Sequence, residues 1–183
     1  MQCIHPCALT PEQYNATEAH RQVRPGPVCL RCEKAGPLHR HGCYPRGVTG
    51  SVGQVLEILV ARFLCVACGG TLSFLPSFAQ SYRLVQAATF EAFLEGKFAR
   101  RDVQSWATVL RCYERRMAGY AADVFRIVGC GLGRAPPALA GSPALGPWLK
   151  EACGSLESAT RRLVTVFRIT PFQRYQCHQP AGP

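Results

Sequence analysis

Four cysteines form two Cys-x-x-Cys pairs, Cys29 with Cys32 and Cys65 with Cys68, and 32 residues separate the pairs. Two thiolates three positions apart bind one ion from a tight turn, and two such turns complete the tetrahedral four-sulfur shell typical of structural zinc. Because four thiolates leave no open position for water or substrate, the predicted role of Zn²⁺ is structural. The alternative is four buried free thiols, which would rarely fall into two such pairs.

Two further groups of Cys and His residues are weaker candidates for metal ligands. The spacer between the pairs holds the first group, and the N-terminal region holds the second: His39, His41 and Cys43, and Cys3, His5, Cys7 and His20. A strand or surface position is favoured for the first group, although its members could replace a ligand. The spacing of the second group fits no metal motif, so a flexible N-terminus is predicted there.

The chain is basic, with 21 Lys and Arg residues against 11 Asp and Glu residues and a net charge of +10 over 183 residues. Nearly all of this positive charge is arginine, because the only lysines are Lys34, Lys97 and Lys150. The planar guanidinium pairs bidentately with phosphate or with a guanine edge. The composition therefore predicts a polyanionic partner, most often nucleic acid, although a solubilising surface would also explain it.

The cysteine count and the apolar runs bear on the cellular compartment. There are 11 cysteines, an odd number, and the first 24 residues show no apolar segment of a secretory signal. A reducing, cytoplasmic environment is therefore predicted rather than a disulfide scaffold. Four prolines interrupt the longest uncharged run, residues 135–149, so no membrane span is expected.

The order of segments predicts an α+β fold, with a small N-terminal four-cysteine zinc ribbon of β-hairpins followed by a mainly α-helical C-terminal region. Strands are predicted at residues 54–63, after glycine turn signals, and at 41–46. The predicted parts are an N-terminal extension at 1–26, the zinc ribbon at 27–78, a helical region at 80–129, a Gly/Pro linker at 130–147, and a C-terminal helix and tail at 148–183.

Helical periodicity begins after the cysteine pairs. A helix is predicted at 82–98, and a basic amphipathic helix at 100–117 has apolar residues at steps of three and four: Val103, Trp106, Leu110, Tyr113 and Met117. A further helix is predicted at 121–128 after Gly119. The last helix, 148–168, is predicted to begin at Pro147.

Catalysis is not predicted. A metal-dependent nuclease needs several converging carboxylates, but the only aspartates are Asp102 and Asp123, both in segments predicted to be helical. The glycine-rich residues 129–133 lack the Lys-Ser/Thr pair of a phosphate-binding loop. No small-molecule substrate is therefore expected.

Four stretches carry a family resemblance: Cys29-Leu-Arg-Cys32, His41-Gly-Cys-Tyr44, Arg62-Phe-Leu-Cys-Val-Ala-Cys-Gly69 and Thr71-Leu-Ser-Phe-Leu-Pro76. Through them residues 29–76 resemble the zinc-ribbon domain of bacterial insertion-sequence proteins and their transposase-like relatives. The likeness is greatest to zinc-binding proteins of transposon neighbourhoods that carry a ribbon and helices without a nuclease domain. The resemblance implies a helix-turn-helix-like region at 80–129, and DNA binding in transposition or in its regulation.

Two functions follow as hypotheses. The first is a zinc-binding, DNA-binding accessory or regulatory protein whose phosphate contacts are arginines: Arg40, Arg46, Arg62, Arg100, Arg101, Arg111, Arg115 and Arg116. The second is a zinc-stabilised interaction module that docks onto a separately encoded transposase or another partner, or that self-associates. Single-stranded DNA or RNA binding is a third hypothesis, because the aromatic residues Tyr44, Phe63 and Phe74 lie near arginines and would suit base stacking. A place in the small core of the ribbon is nevertheless favoured for these three aromatics.

Overall fold

Strands dominate the N-terminal half of the molecule and helices dominate the rest. The computed structural model describes residues 1–36, 38–80, 83–137 and 145–174. In these ranges the elements are β1 (Gln2–His5), α1 (Pro11–Ala16), a 3₁₀ turn (Ala19–Gln22), β2 (Leu38–Thr49), β3 (Val55–Cys65), β4 (Thr71–Pro76), α2 (Ala87–Leu94), α3 (Arg101–Ser105), α4 (Ala107–Val128), α5 (Leu145–Cys153), α6 (Leu156–Arg162), a π turn (Leu163–Phe167), β5 (Ile169–Thr170) and β6 (Gln173–Arg174). The predicted α+β class is confirmed.

A long antiparallel hairpin, β2–β3, is the main body of the larger sheet. Within the described ranges the strand order is β1-β4-β3-β2, with β1 parallel to β4 and the other neighbours antiparallel. The strands predicted at 54–63 and 41–46 are confirmed, and both extend further than the patterns indicated. At its open end the hairpin pairs Leu38 with Cys65, so the sheet fixes the position of the second cysteine pair.

The N-terminal residues belong to this sheet, so the prediction of a flexible N-terminus is wrong. β1 pairs in parallel with β4, with Cys3 opposite Phe74 and Ile4 opposite Leu75. Both Cys3 and Ile4 are buried. The strand covers only four residues, which is too short for a periodic pattern to reveal it.

Helix α1 covers the part of β3 that β4 leaves open. β4 pairs with β3 only through residues 61–64 of β3. Beyond them the Tyr14 hydroxyl donates to the Leu59 carbonyl at 3.3 Å, and the Asn15 amide donates to the Glu57 carbonyl at 2.7 Å. These side chains occupy backbone acceptors that would otherwise be open to pairing with another chain.

The basic helix predicted at 100–117 breaks at Trp106, between α3 and α4. The break coincides with a tertiary contact, because the Trp106 indole N–H donates to the carbonyl of Gly53 at 2.7 Å. Gly53 lies in the turn of the β2–β3 hairpin, so this contact fastens the helices to the sheet. Helix α4 then runs through Gly119 to Val128, and the separate helix predicted at 121–128 is wrong. A single exposed glycine costs only about 1 kcal/mol in a helix, which flanking packing outweighs.

Two more hydrogen bonds join the sheet to the helices. The Gln86 backbone N–H donates to the Thr49 hydroxyl at 3.1 Å, at the last residue of β2. The Tyr113 hydroxyl of α4 accepts from the Leu84 backbone N–H at 3.0 Å. Together with Trp106, these contacts hold α4 in a defined position relative to the hairpin.

The C-terminal helix predicted at 148–168 is divided. Helix α5 begins at Leu145 and ends before Gly154, whose φ of 82° places it in the left-handed region. Ser155 then caps α6, its hydroxyl accepting from the Ser158 N–H at 3.1 Å. Residues 138–144 of the predicted linker and residues 175–183 of the predicted tail lie outside the described residues. None of the described helices combines the length and apolarity that crossing a membrane requires.

Candidate metal centre

The four predicted cysteine ligands converge. The sulfur atoms of Cys29, Cys32, Cys65 and Cys68 all lie within 4.8 Å of one another, and Cys32 and Cys65 are separated by 3.9 Å between sulfurs. Tetrahedral zinc with Zn–S bonds of about 2.3 Å requires sulfurs about 3.8 Å apart. The thiolate donor set and its spacing therefore fit a structural zinc ion.

The first cysteine pair lies in a tight turn. The Cys29 carbonyl accepts from the Glu33 N–H at 2.8 Å, and the Cys29 N–H donates to the Lys34 carbonyl at 3.1 Å. Glu33 adopts a left-handed backbone conformation with φ of 60° to close the turn. The isolated bridge between Val28 and Ala35 continues the same reversal of the chain. This turn aims both sulfurs at one point.

The second pair repeats that arrangement. The Cys65 carbonyl accepts from the Gly69 N–H at 2.9 Å, and the Cys65 N–H donates to the Gly70 carbonyl at 3.0 Å. Gly69 has φ of 63°, a conformation that glycine adopts without cost. A Cβ atom at Gly70 would collide with the guanidinium of Arg31 from the first turn. The two turns are therefore packed face to face as well as sharing the four-sulfur cluster.

Backbone N–H groups point at the sulfurs and favour their ionised form. The Arg31 N–H donates to the Cys29 sulfur at 3.4 Å. Burial nevertheless raises the pKa of Cys29 to about 11 and also raises that of Cys68. Burial acts in the same direction on Cys65, but hydrogen bonds from the Cys68 backbone and from the Cys29 thiol outweigh it and lower the pKa of Cys65 to about 7. Because Cys29 and Cys68 are kept protonated near neutral pH by their raised pKa values, an ion bound by the four sulfurs would displace their protons and would bind more tightly as the pH rises.

An apolar cluster surrounds the four sulfurs on the sheet side. Its buried members come from β1, β3, β4 and the segment before the first pair: Cys3, Val23, Cys29, Ala61, Phe63, Cys65, Leu72 and Phe74. This packing is small, so an ion that links both turns would contribute a large share of the stability of this part of the sheet.

The weaker metal-ligand candidates do not join the cluster. Among the described residues, the one group of three or more side chains close enough to share an ion is the four-cysteine group. His39, His41 and Cys43 are exposed on β2. Cys3 is buried in the apolar cluster, and His20 lies within the 3₁₀ turn with its side chain buried. The prediction of a strand or surface position for His39, His41 and Cys43 agrees with their exposed places on β2.

Three of the arginines predicted to contact DNA belong to the sheet, and their guanidiniums are held by the fold. Arg40 donates to the His20 carbonyl at 3.1 Å and lies over the Phe63 ring. Arg46 donates to the carbonyls of Gln80 and Arg83. Arg62 lies 5.9 Å from the Tyr44 ring centroid and 3.5 Å from the Thr71 hydroxyl. Arg46 therefore has a structural role in anchoring the segment after β4.

The other five predicted arginines lie on α3 and α4 or at their start. Arg100 is bound to the buried carboxylate of Asp102, with contacts of 3.0 and 2.7 Å. Asp102 also accepts from the Thr89 hydroxyl at 2.7 Å. The remaining four are exposed and form no ion pair with a carboxylate in the described ranges: Arg101, Arg111, Arg115 and Arg116.

Two surface cavities were not predicted from the sequence. The first, named here the basic cleft, has a volume of about 680 Å³ and lies beside the start of β2, lined by His20, Arg21, Arg24, Pro25, Leu38, Arg40, Gly42, Cys43, Leu59 and Phe63. The second, the apolar groove, has a volume of about 640 Å³ and is lined by Phe93, Leu94, Gly96, Phe98, Val103, Gln104, Ala107, Arg111 and Glu114. The basic cleft brings together residues 20–25, 38–43, 59 and 63, which are far apart in sequence, so no local pattern signals it. The apolar groove is formed within residues 93–114 by segments of different helices.

Comparison with known proteins adds no identification. The chain matches no protein-family model, no curated protein and no solved structure. Function is therefore inferred from the residues and their geometry, together with the sequence resemblance of residues 29–76.

Proposed function

We propose that this protein is a zinc-binding, DNA-binding protein that acts as an accessory or regulatory factor of transposition. The zinc part is supported by the four-sulfur cluster, whose dimensions suit one tetrahedral ion. The link with transposition comes from the resemblance of residues 29–76 alone. The DNA-binding part is supported by the distribution of arginine charge on the helices.

One observation carries the DNA-binding proposal, namely the unpaired arginines of α3 and α4. Several other exposed basic residues are paired with carboxylates: Arg21 with Glu18, Lys97 with Glu95, Arg126 with Asp123 and Arg134 with Glu151. By contrast, Arg101, Arg111, Arg115 and Arg116 have no such partner in the part of the chain described. Unneutralised guanidiniums are the groups that gain most from contact with phosphates.

The exposure of these charges on the helices supports the proposal. Arg111 and Arg115 are four residues apart in α4 and are therefore neighbours on one helix face. Arg116 projects about 100° further around the helix than Arg115, and all three are exposed. The opposite face of α4 is buried, with Leu110 and Met117 in the helical core. The basic face is thus presented outward by a helix whose position is fixed.

Charge reversal tests the proposal. Reversing Arg111, Arg115 and Arg116 to Glu is expected to abolish duplex binding, measured by fluorescence anisotropy, while leaving the far-UV circular dichroism spectrum and zinc content unchanged. The matched control reverses Lys97, Arg126 and Arg134, which gives the same change in net charge at residues already paired with carboxylates. Equal loss in both variants, or wild-type affinity in the first, would remove this helix face from the interface.

The apolar groove supports a second candidate function, an interaction module that binds a separately encoded transposase or a second copy of the chain. Phe98 at its edge is 58% exposed although its ring packs against Phe93 at 5.5 Å. Sedimentation velocity of the purified protein, alone and with a transposase encoded beside it, tests this hypothesis. Association that Phe98→Asp abolishes would support it, whereas a monomer indifferent to the partner would refute it.

A further inference from the structure

The basic cleft is a concave site with one sign of charge. One wall is formed by residues 20–25, in and after the 3₁₀ turn. The other is formed by the start of β2, where the strand register shifts between Arg40 and Cys43. Three of its lining residues are arginines and none is acidic. Its volume of about 680 Å³ falls within the range of small-ligand sites.

Two of the three guanidiniums are oriented by backbone carbonyls. Arg24 donates through one nitrogen to the carbonyls of Arg21, at 2.8 Å, and Val23, at 3.1 Å. Arg40 donates to the carbonyl of His20 at 3.1 Å. Neither guanidinium forms an ion pair with a carboxylate in the described ranges. Each arginine is thus held from one side, and its remaining N–H groups are available to an oxyanion.

The aromatic neighbour and the bulge shape the cleft around these charges. The Arg40 guanidinium carbon lies 5.7 Å from the centroid of the Phe63 ring, and this cation–π contact helps to orient the guanidinium. Gly42, in the bulge, has φ of 86°, and a Cβ atom there would meet nothing within 4 Å. Burial, followed by the nearby Arg21 charge, lowers the pKa of His20, so the imidazole is neutral near pH 7 and adds no charge of its own. The positive potential of the cleft comes from arginine.

We propose that the basic cleft binds a phosphate group of a nucleic-acid strand, with Arg24 and Arg40 as its ligands. Guanidinium forks match phosphate oxygens bidentately, and two of them line this cleft without an ion pair to any carboxylate among the described residues. The choice of nucleic acid as the source of the phosphate rests on the proposed function. The phosphate site itself rests only on the cleft.

The cleft also adjoins the metal centre, which connects the two sites physically. Leu38 lines the cleft and pairs with the ligand Cys65 across the hairpin. Val23, whose carbonyl holds Arg24, is packed in the apolar cluster around the sulfurs. The four-sulfur cluster therefore supports both walls of the phosphate site.

Fluorescence anisotropy with a short labelled DNA single strand and with its duplex tests the proposal. The double variant Arg24→Gln/Arg40→Gln is expected to bind about tenfold more weakly per arginine removed. In a plot of log affinity against log salt concentration, the negative slope should become shallower by about 0.9 on duplex or about 0.7 on single-stranded DNA, the value for one phosphate. The matched control is Arg126→Gln/Arg134→Gln, which removes two exposed arginines that lie outside the cleft and are already paired with Asp123 and Glu151, and it should leave affinity nearly unchanged.

Competing ligands identify the source of the phosphate. Competition by inorganic phosphate or a nucleoside diphosphate that is lost in the double variant supports the site. If these small ligands bind while oligonucleotides do not, the phosphate site stands and its ligand is a free nucleotide. Binding of an acidic peptide that no phosphate compound displaces would overturn the proposal. Wild-type affinity and salt slope in the double variant would also overturn it.

Two further variants keep the outcome interpretable. Arg24→Lys/Arg40→Lys retains the charges but loses the fork geometry, so it should bind with intermediate affinity even if the glutamine variant fails to fold. The charge-reversed α4 variant separates this proposal from the DNA-binding function. If that variant binds normally while the cleft variants do not, the α4 interface is refuted and the cleft remains.

Discussion

Glu33 and Gly69 occupy equivalent positions in the two cysteine-bearing turns, with φ of 60° and 63°. Each donates its N–H to the carbonyl of the first cysteine of its pair, at 2.8 Å from Glu33 and 2.9 Å from Gly69. The two turns therefore share one geometry, but only the second has the residue that adopts it without steric cost.

This asymmetry predicts that Glu33→Gly stabilises the zinc-loaded protein. Relief of the left-handed conformation should raise the free energy of unfolding by up to about 1 kcal/mol. Glu33→Ala is the control, since it keeps the strain and removes the 3.9 Å pair with Arg168, a contact of an exposed side chain that contributes little. Denaturant unfolding that ranks the glycine variant below the alanine variant would contradict this account.

Removal of one sulfur should disrupt the metal-supported part of the sheet. Cys65→Ser takes away a buried candidate ligand that is also the last residue of β3. We expect loss of bound zinc and loss of protection from amide hydrogen exchange in β2, β3 and the two turns, because structural zinc contributes directly to folding. Cys130→Ser, at an exposed cysteine outside the cluster, is the control and should retain both. Full zinc retention in the first variant would exclude Cys65 as a ligand.

The contact between Trp106 and Gly53 predicts a measurable coupling between helices and sheet. Trp106→Phe keeps an aromatic ring but removes the indole N–H that donates to the Gly53 carbonyl. The loss should lower the free energy of unfolding by about 1 kcal/mol, the typical contribution of one such hydrogen bond. Circular dichroism during urea unfolding measures it, and an unchanged midpoint would show that this bond does not hold α3 and α4 on the hairpin.

Glu12 predicts a specific dependence of stability on pH. Hydrogen bonding from the Ser51 backbone N–H, at 3.0 Å from Glu12 Oε1, is the main reason that the pKa of Glu12 is lowered from 4.5 to about 2. A lowered pKa stabilises the folded state above the unfolded pKa, and this contribution is lost as pH falls from about 4.5 toward about 2.

The comparison of wild type with Glu12→Gln isolates that contribution, because both proteins share the same metal site and its own acid sensitivity. The wild type should be the more stable by a constant margin above about pH 5, and the margin should shrink as the pH is lowered further. Urea midpoints measured at several pH values provide the test. A margin that does not vary with pH would show that Glu12 does not titrate as described.

Local spacing made the four-cysteine cluster predictable from the sequence, whereas the contacts between distant segments could not be predicted from it. The spacing within each cysteine pair sets the turn that aims its sulfurs, so the cluster of four cysteines could be predicted. The break at Trp106 depends on Gly53, 53 positions earlier in the chain. The basic cleft depends on residues 20–25 meeting residues 38–43, and β1 depends on pairing with β4. Contacts between distant segments produce no hydrophobic periodicity or motif that could be recognised in the sequence.

The most direct test of the central claim is a salt-titrated DNA-binding assay on protein with measured zinc content, with and without a chelator. We predict about one zinc per chain, as for a single tetrahedral site, and tight duplex binding that weakens steeply with salt and is lost when the zinc is removed. A folded, zinc-loaded protein that binds neither duplex DNA, single-stranded DNA nor RNA would contradict the claim and favour the interaction module.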